Sequence, residues 1–277
     1  MNDTRSPSGP RKGNTALAES AEGYILVRDD GETFPFGACE YYGGAADHLL
    51  GQPVVGCAVV PGGYLLCTAD GAVLPFGKAR YFGSAVSAPL EHPVVAMATR
   101  EDGRGYWLAG ADGAVYAFGA ANDFGSARGY TLEHPVVAVS AARNGAGYWL
   151  VTRDGNVFGF GGVAATGRLL ADEISAPVAG IAGSSGGDGY WIALKDGVVH
   201  AFGSAEAYGG LLEADTRVVG IAATGAGDGY FLAGSDGAVS AFGAARVYGD
   251  GRVQMRGRRV VSIAAGFAGP GMTVSSG

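Results

Sequence analysis

The tetrapeptide Leu-Glu-His-Pro occurs twice in this sequence, as Leu90-Glu91-His92-Pro93 and as Leu132-Glu133-His134-Pro135. An imidazole titrates near neutrality, so His92 or His134 could take a proton as a general base, with Glu91 or Glu133 orienting the ring or acting as the acid. A second group is basic. The segment from Gly249 to Val260 carries Arg252, Arg256, Arg258 and Arg259, where other linkers carry Asp47, Glu91, Glu133, Asp172, Glu173, Glu213 and Asp215. A guanidinium fork grips carboxylate or phosphate at two points, which makes Arg252, Arg256 and Arg258 the candidates for holding a small anion. A duplicated unit with solvent-facing polar loops is the simpler account of the paired histidines.

Other chemistry is argued against by spacing. Glu and His are consecutive in each pair, and neighbouring side chains on an extended segment point to opposite sides, so the four residues offer two metal ligands where a structural zinc needs four. No metal and no cofactor is expected. The three cysteines, Cys39, Cys57 and Cys67, include no Cys-x-x-Cys pair, and Cys57 stands where Met97, Val139, Ile181 and Ile221 stand in related units. They read as small buried hydrophobes. Six Asp-Gly pairs supply one carboxylate each, where a calcium loop concentrates several, so they read as hairpin turns. There is no G-x-S-x-G, no H-E-x-x-H and no phosphate loop.

The elements that position these residues come from an internal repeat. Units begin at Gly23, Gly63, Gly105, Gly147, Gly189 and Gly229, with spacings of 40, 42, 42, 42 and 40. Each places Tyr after the first Gly, then Asp-Gly, Phe-Gly and a closing Gly at fixed offsets. Pairs such as Val54-Val55, Val94-Val95 and Val136-Val137 open a further apolar run between units. β-Branched and aromatic runs of four to six residues separated by Asp-Gly predict strands joined by two-residue type I′ hairpins. Four-stranded units of this period predict an all-β chain, a six-bladed β-propeller, with the Val-Val segment innermost, Gly-Tyr-Trp-Leu second, the Phe-Gly segment third and the stretch before the last Gly as the outer edge.

The unit GYWLVxxDGxVxxFGxAxxYG resembles a repeat abundant in actinobacterial proteins, and more distantly the repeats of regulator-of-chromosome-condensation-like propellers. The resemblance covers about residues 14–276. It implies the propeller fold and a role as an accessory or binding module, and it names no site residue. Residues 1–13 are expected to form a flexible tail and 14–277 a single propeller domain. Val260 to Ala265 can complete the first blade beside Gly23-Tyr24-Ile25-Leu26. Thr15-Ala16-Leu17-Ala18 also fits the inner-strand pattern, and Gly271-Met272-Thr273-Val274 fits the second strand of an incomplete seventh blade or of a strand paired in trans with another copy.

Composition bounds the partners. The 277 residues include 51 Gly, 48% are hydrophobic and only 16% charged, which suits a compact folded chain. A net charge of −7 argues against nucleic acid, and no apolar run reaches the length of a membrane span. The first 22 residues lack the apolar stretch of a secretory signal, so the expected location is cytoplasmic. The leading expectation is a non-catalytic binding or interaction module that presents its channel mouth to a protein or a small anionic molecule. The alternative is a lyase, isomerase or cyclase using His92, His134, Glu91 and Glu133, with the arginines on the substrate.

Overall fold

The computed structural model describes residues 22–211, 215–255 and 257–267. These form eighteen strands in six antiparallel sheets of three. Blade 1 contains β1 (Glu22–Arg28) and β2 (Thr33–Gly37); blade 2 contains β3 (Val54–Val60), β4 (Gly63–Thr68) and β5 (Val73–Gly77); blade 3 contains β6 (Val94–Thr99), β7 (Gly105–Gly110) and β8 (Val115–Gly119). Blade 4 contains β9 (Val136–Ala141), β10 (Gly147–Thr152) and β11 (Val157–Gly161); blade 5 contains β12 (Val178–Gly183), β13 (Tyr190–Leu194) and β14 (Val199–Phe202). Blade 6 contains β15 (Val218–Ala223), β16 (Gly229–Gly234) and β17 (Val239–Gly243), and β18 (Val260–Phe267) returns to complete blade 1 against β1. Each first strand touches the first strands of both neighbouring blades, and β18 closes the cycle between β15 and β3. The chain is therefore a ring of six radial sheets, closed by its last described strand within one chain. Thr15–Ala18 and Gly271–Val274 lie outside the described residues.

The core is divided into six wedges, one between each pair of adjacent blades. This explains why the middle strand has no polar alternation: in β7, Tyr106 and Leu108 pack toward blade 2 while Trp107 and Ala109 pack toward blade 4, so both faces are buried.

Two local expectations are corrected. The Asp-Gly turns are three-residue loops, not two-residue type I′ turns: the Thr68 N–H bonds the Ala72 carbonyl at 3.0 Å and the Gly71 N–H bonds the Thr68 carbonyl at 2.9 Å, with Gly71 at φ +81. This is the type I turn with a left-handed glycine, and the preceding Asp accepts the N–H two residues on, as Asp112 does from Ala114 at 3.1 Å. The expected outer strand is also replaced. The segment after each Phe-Gly forms no ladder; a Tyr of the next blade bonds it in all six units and a Trp of its own blade in three. Trp107 Nε1 donates to the Asn122 carbonyl of its own blade at 2.8 Å, and Tyr106 Oη, from the next blade, takes the Phe82 N–H at 3.1 Å and donates to the Gly83 carbonyl. Tyr24, Tyr64, Tyr148, Tyr190 and Tyr230 donate to Gly249, Gly43, Gly125, Gly167 and Gly209 in the same way. The recurrent Tyr is an interblade clasp as well as a packing residue.

Candidate functional site: two ends of a closed channel

Each first strand bears a β-bulge at its second residue, for instance between Val94 and Ala96. That residue is only half-buried, and the six strands together enclose a channel of about 530 Å³. Its wall is mostly Val, Ala, Gly and Ile, with no aromatic ring among the lining residues. Cys57 lines it, and burial pushes that thiol up to about 12.

At one end, here the linker end, a hydrogen-bonded belt ties every linker to the Asp-Gly turn of the blade before it. The Val94, Val136, Val178 and Val218 N–H groups bond the carbonyls of Ala69, Ala111, Arg153 and Lys195, and the Ala111, Arg153, Lys195 and Ser235 N–H groups bond those of Pro93, Pro135, Pro177 and Arg217. The residue before the first strand is Pro53, Pro93, Pro135 or Pro177 in four blades and Arg217 or Arg259 in the other two. Of the other belt positions only Asp29, whose carbonyl takes the Val54 N–H, is charged, while Arg153, Lys195, Arg217 and Arg259 form a cationic arc over consecutive blades. None of these four forms an ion pair among the described residues. Burial first, then Arg217 and Arg153, holds the Lys195 ammonium below its ordinary pKa. Asp172, Glu173 and Asp215 share these linkers, but Glu173 is engaged by the Leu170 N–H at 2.7 Å.

The residues singled out from sequence lie on this same face, outside the channel lining. His92, His134, Glu91 and Glu133 are all exposed. Glu91 pairs with Arg128 Nη2 at 3.1 Å, and Arg128 Nε meets Asp112 at 3.3 Å. Neither histidine makes a hydrogen bond or ion pair among the described residues, and the structure does not join them. Arg252 pairs with Asp250 at 3.6 Å. Arg258 and Arg28 both bind Asp30, whose carboxyl is held below the usual range chiefly by its Arg28 hydrogen bond. Arg258 thus fastens the last linker to blade 1. Arg256 lies outside the described residues. The belt cations that form no ion pair among the described residues are Arg153, Lys195, Arg217 and Arg259, of which only Arg259 belongs to the last linker. Part of the signal was legible: Arg153 and Lys195 precede Asp-Gly where other units have Asp29, Ala69, Ala111 and Ser235, and Arg217 and Arg259 replace a recurrent Pro.

The other end is formed by the hairpins between first and second strands. Here Arg143 Nη1, from blade 4, donates to the Thr224 carbonyl of blade 6 at 3.1 Å, while Nη2 lies 3.5 Å from Glu101 of blade 3. Glu22, only 7% exposed, accepts the Gly225 N–H at 2.6 Å, and burial raises its pKa. Among the described residues no group of three or more His, Cys, Asp or Glu is placed to hold a metal, and no helix is long and apolar enough to cross a membrane.

No family model and no curated protein matches the chain. Solved structures do. One chain in a crystal structure of a nidogen/laminin complex superposes with a TM-score of 0.62 at 9% identity, covering 89% of this chain and 99% of that one. A structural genomics protein of unknown function from Bacteroides thetaiotaomicron gives 0.53 at 13% identity, covering 80% of this chain and 62% of that one. At such identities the likeness is one of fold, and together with the closed ring of six sheets it makes the chain a β-propeller.

Proposed function

We propose that the chain is a non-catalytic binding module whose linker end docks an acidic segment of a protein partner. The observation that carries this reading is the arc of Arg153, Lys195, Arg217 and Arg259, four cations on one face with no ion pair among the described residues, on a chain of net charge −7. Charge of this kind steers an oppositely charged partner and fixes its orientation. The same face supplies apolar contact. Leu49, Val86, Tyr130, Leu170 and Val253 are exposed large hydrophobic residues, one in each of five linkers. Apolar side chains interspersed with charge suit a protein docking surface. The structural neighbour taken from a nidogen/laminin complex is a propeller within a protein assembly, which agrees with the reading.

The test is affinity capture with the native chain and with Arg153→Glu/Arg217→Glu, both positions being exposed. A partner retained by the native chain, released by added salt and lost from the variant at unchanged melting temperature is the expected result. Equal retention by both, or retention of a small anion alone, overturns the proposal.

A further inference from the structure

The hairpin end and the channel behind it form a second site, which rests on the same view of the chain as a binding module but uses different residues. The channel volume of about 530 Å³ falls in the range of small-molecule sites. Its walls are six extended strands, and six residues of strand span roughly 20 Å at ~3.3 Å each, so the space favours a long, unbranched occupant. With no aromatic ring in the wall, nothing stacks on a flat ligand. Three of the four wall hydroxyls have partners in the protein: Ser140 Oγ accepts from the Gly183 N–H at 3.0 Å, Ser262 Oγ accepts from the Cys57 thiol at 3.4 Å, and Thr224 Oγ1 donates to Asp228 at 2.8 Å. The rest of the wall is aliphatic, which suits a hydrocarbon better than a polyhydroxylated ligand.

The charged residues among those lining the channel are Glu101 and Arg143, both at the hairpin end. The Arg143 side chain is 25% exposed and reaches from blade 4 to the Thr224 carbonyl of blade 6, across the end of the channel. Its acidic neighbour Glu101 is 66% exposed and 3.5 Å away, a separation at which an exposed ion pair contributes little. Equivalent hairpin positions in other blades hold Pro61, Glu101, Ser185 and Gly225, so the scaffold does not demand a cation there.

We propose that the channel binds an unbranched aliphatic carboxylate of the medium-chain fatty acid class. The tail lies along the Val, Ala, Ile and Gly wall, and the carboxylate replaces Glu101 on the Arg143 guanidinium. The wall supplies hydrophobic burial, and Arg143 selects the head group through a charge-assisted hydrogen bond.

Calorimetric titration of the whole chain with dodecanoate, its methyl ester and dodecylamine, below their micelle concentrations, tests this. Dodecanoate should bind once per chain, about tenfold or more tighter than the ester or the amine, the loss expected when a charge-assisted bond is removed. Arg143→Gln should abolish the preference while leaving ester binding unchanged, and Glu101→Gln should tighten dodecanoate. Equal binding of the three head groups, no binding of dodecanoate, or a preference that survives Arg143→Gln overturns the proposal. Should Arg143→Gln fail to fold, the head-group series on the native chain and Glu101→Gln decide. Partner capture at the linker end without dodecanoate binding overturns this inference alone; loss of both overturns the module reading too.

Discussion

Glu22 is the residue whose burial has the clearest consequence for stability. Its carboxyl sits against the Gly225 N–H with Asp228 nearby, and desolvation, the largest cause, raises its pKa from 4.5. A raised folded-state pKa means that the folded chain holds this proton more tightly than the unfolded chain does. The associated stability is full below the unfolded value and is lost as pH rises from about 4.5 through the folded value. In Glu22→Gln the amide oxygen can still accept the Gly225 N–H, and no charge is buried. The stability of the native chain, measured by denaturant titration, should therefore fall relative to Glu22→Gln as pH rises through that window. Parallel profiles would show that the carboxyl is not desolvated. At this scale the sequence was partly legible. The cysteines read as packing residues, and Cys57 and Cys67 are buried. Arg143 and Glu22 could not be identified as partners of blade 6, because Arg143 reaches past blade 5 and Glu22 comes from the adjoining blade 1, each to a residue distant in sequence.

At the scale of elements, the tyrosine clasp explains why a strand that propensity predicts does not form. The outer segment reads like an edge strand, but its N–H and C=O groups are taken by a Tyr of the next blade and a Trp of its own. Tyr106→Phe keeps the ring and leaves the Phe82 N–H and Gly83 carbonyl without their partner. The expected cost is about 1–2 kcal/mol, the range for unsatisfied buried groups, read as a lower denaturation midpoint at unchanged slope. A neutral effect would mean that the segment is satisfied by other means. Inner, second and third strands were legible from Val-Val, Gly-Tyr-Trp-Leu and Phe-Gly, the second most plainly because both its faces are buried. The turn type was not, since Asp-Gly suits both the two-residue and the three-residue loop, and only the hydrogen bond from Thr68 to Ala72 separates them.

For the whole molecule, closure is the decisive feature. β18 supplies the first strand of blade 1, and the wedge between blades 6 and 1 holds Val260 and Ile263 beside Tyr24 and Phe231. Ending the chain before Val260 exposes two large apolar side chains and the edge of β1, a loss on the order of 5 kcal/mol and comparable to a domain's net stability. Loss of the cooperative thermal transition is expected; a truncated chain melting like the native one would place closure elsewhere. The count of six and the returning strand were legible from the unit spacing. The cationic arc was legible only in part, because sequence drew attention to arginines crowded in one linker, whereas the cations without an ion pair come from four positions that the belt brings together.

The central claim, that this arc is a docking surface for acidic protein, is tested most directly by fluorescence anisotropy of a labelled oligoglutamate peptide. The native chain should bind it with an affinity that falls as salt rises. Arg153→Glu/Arg217→Glu should weaken binding about tenfold or more, as expected when close charge pairs are reversed. Arg252→Glu, at a residue paired with Asp250 outside the arc, should change it little. An affinity unaltered by the double reversal, or lowered equally by Arg252→Glu, would contradict the account.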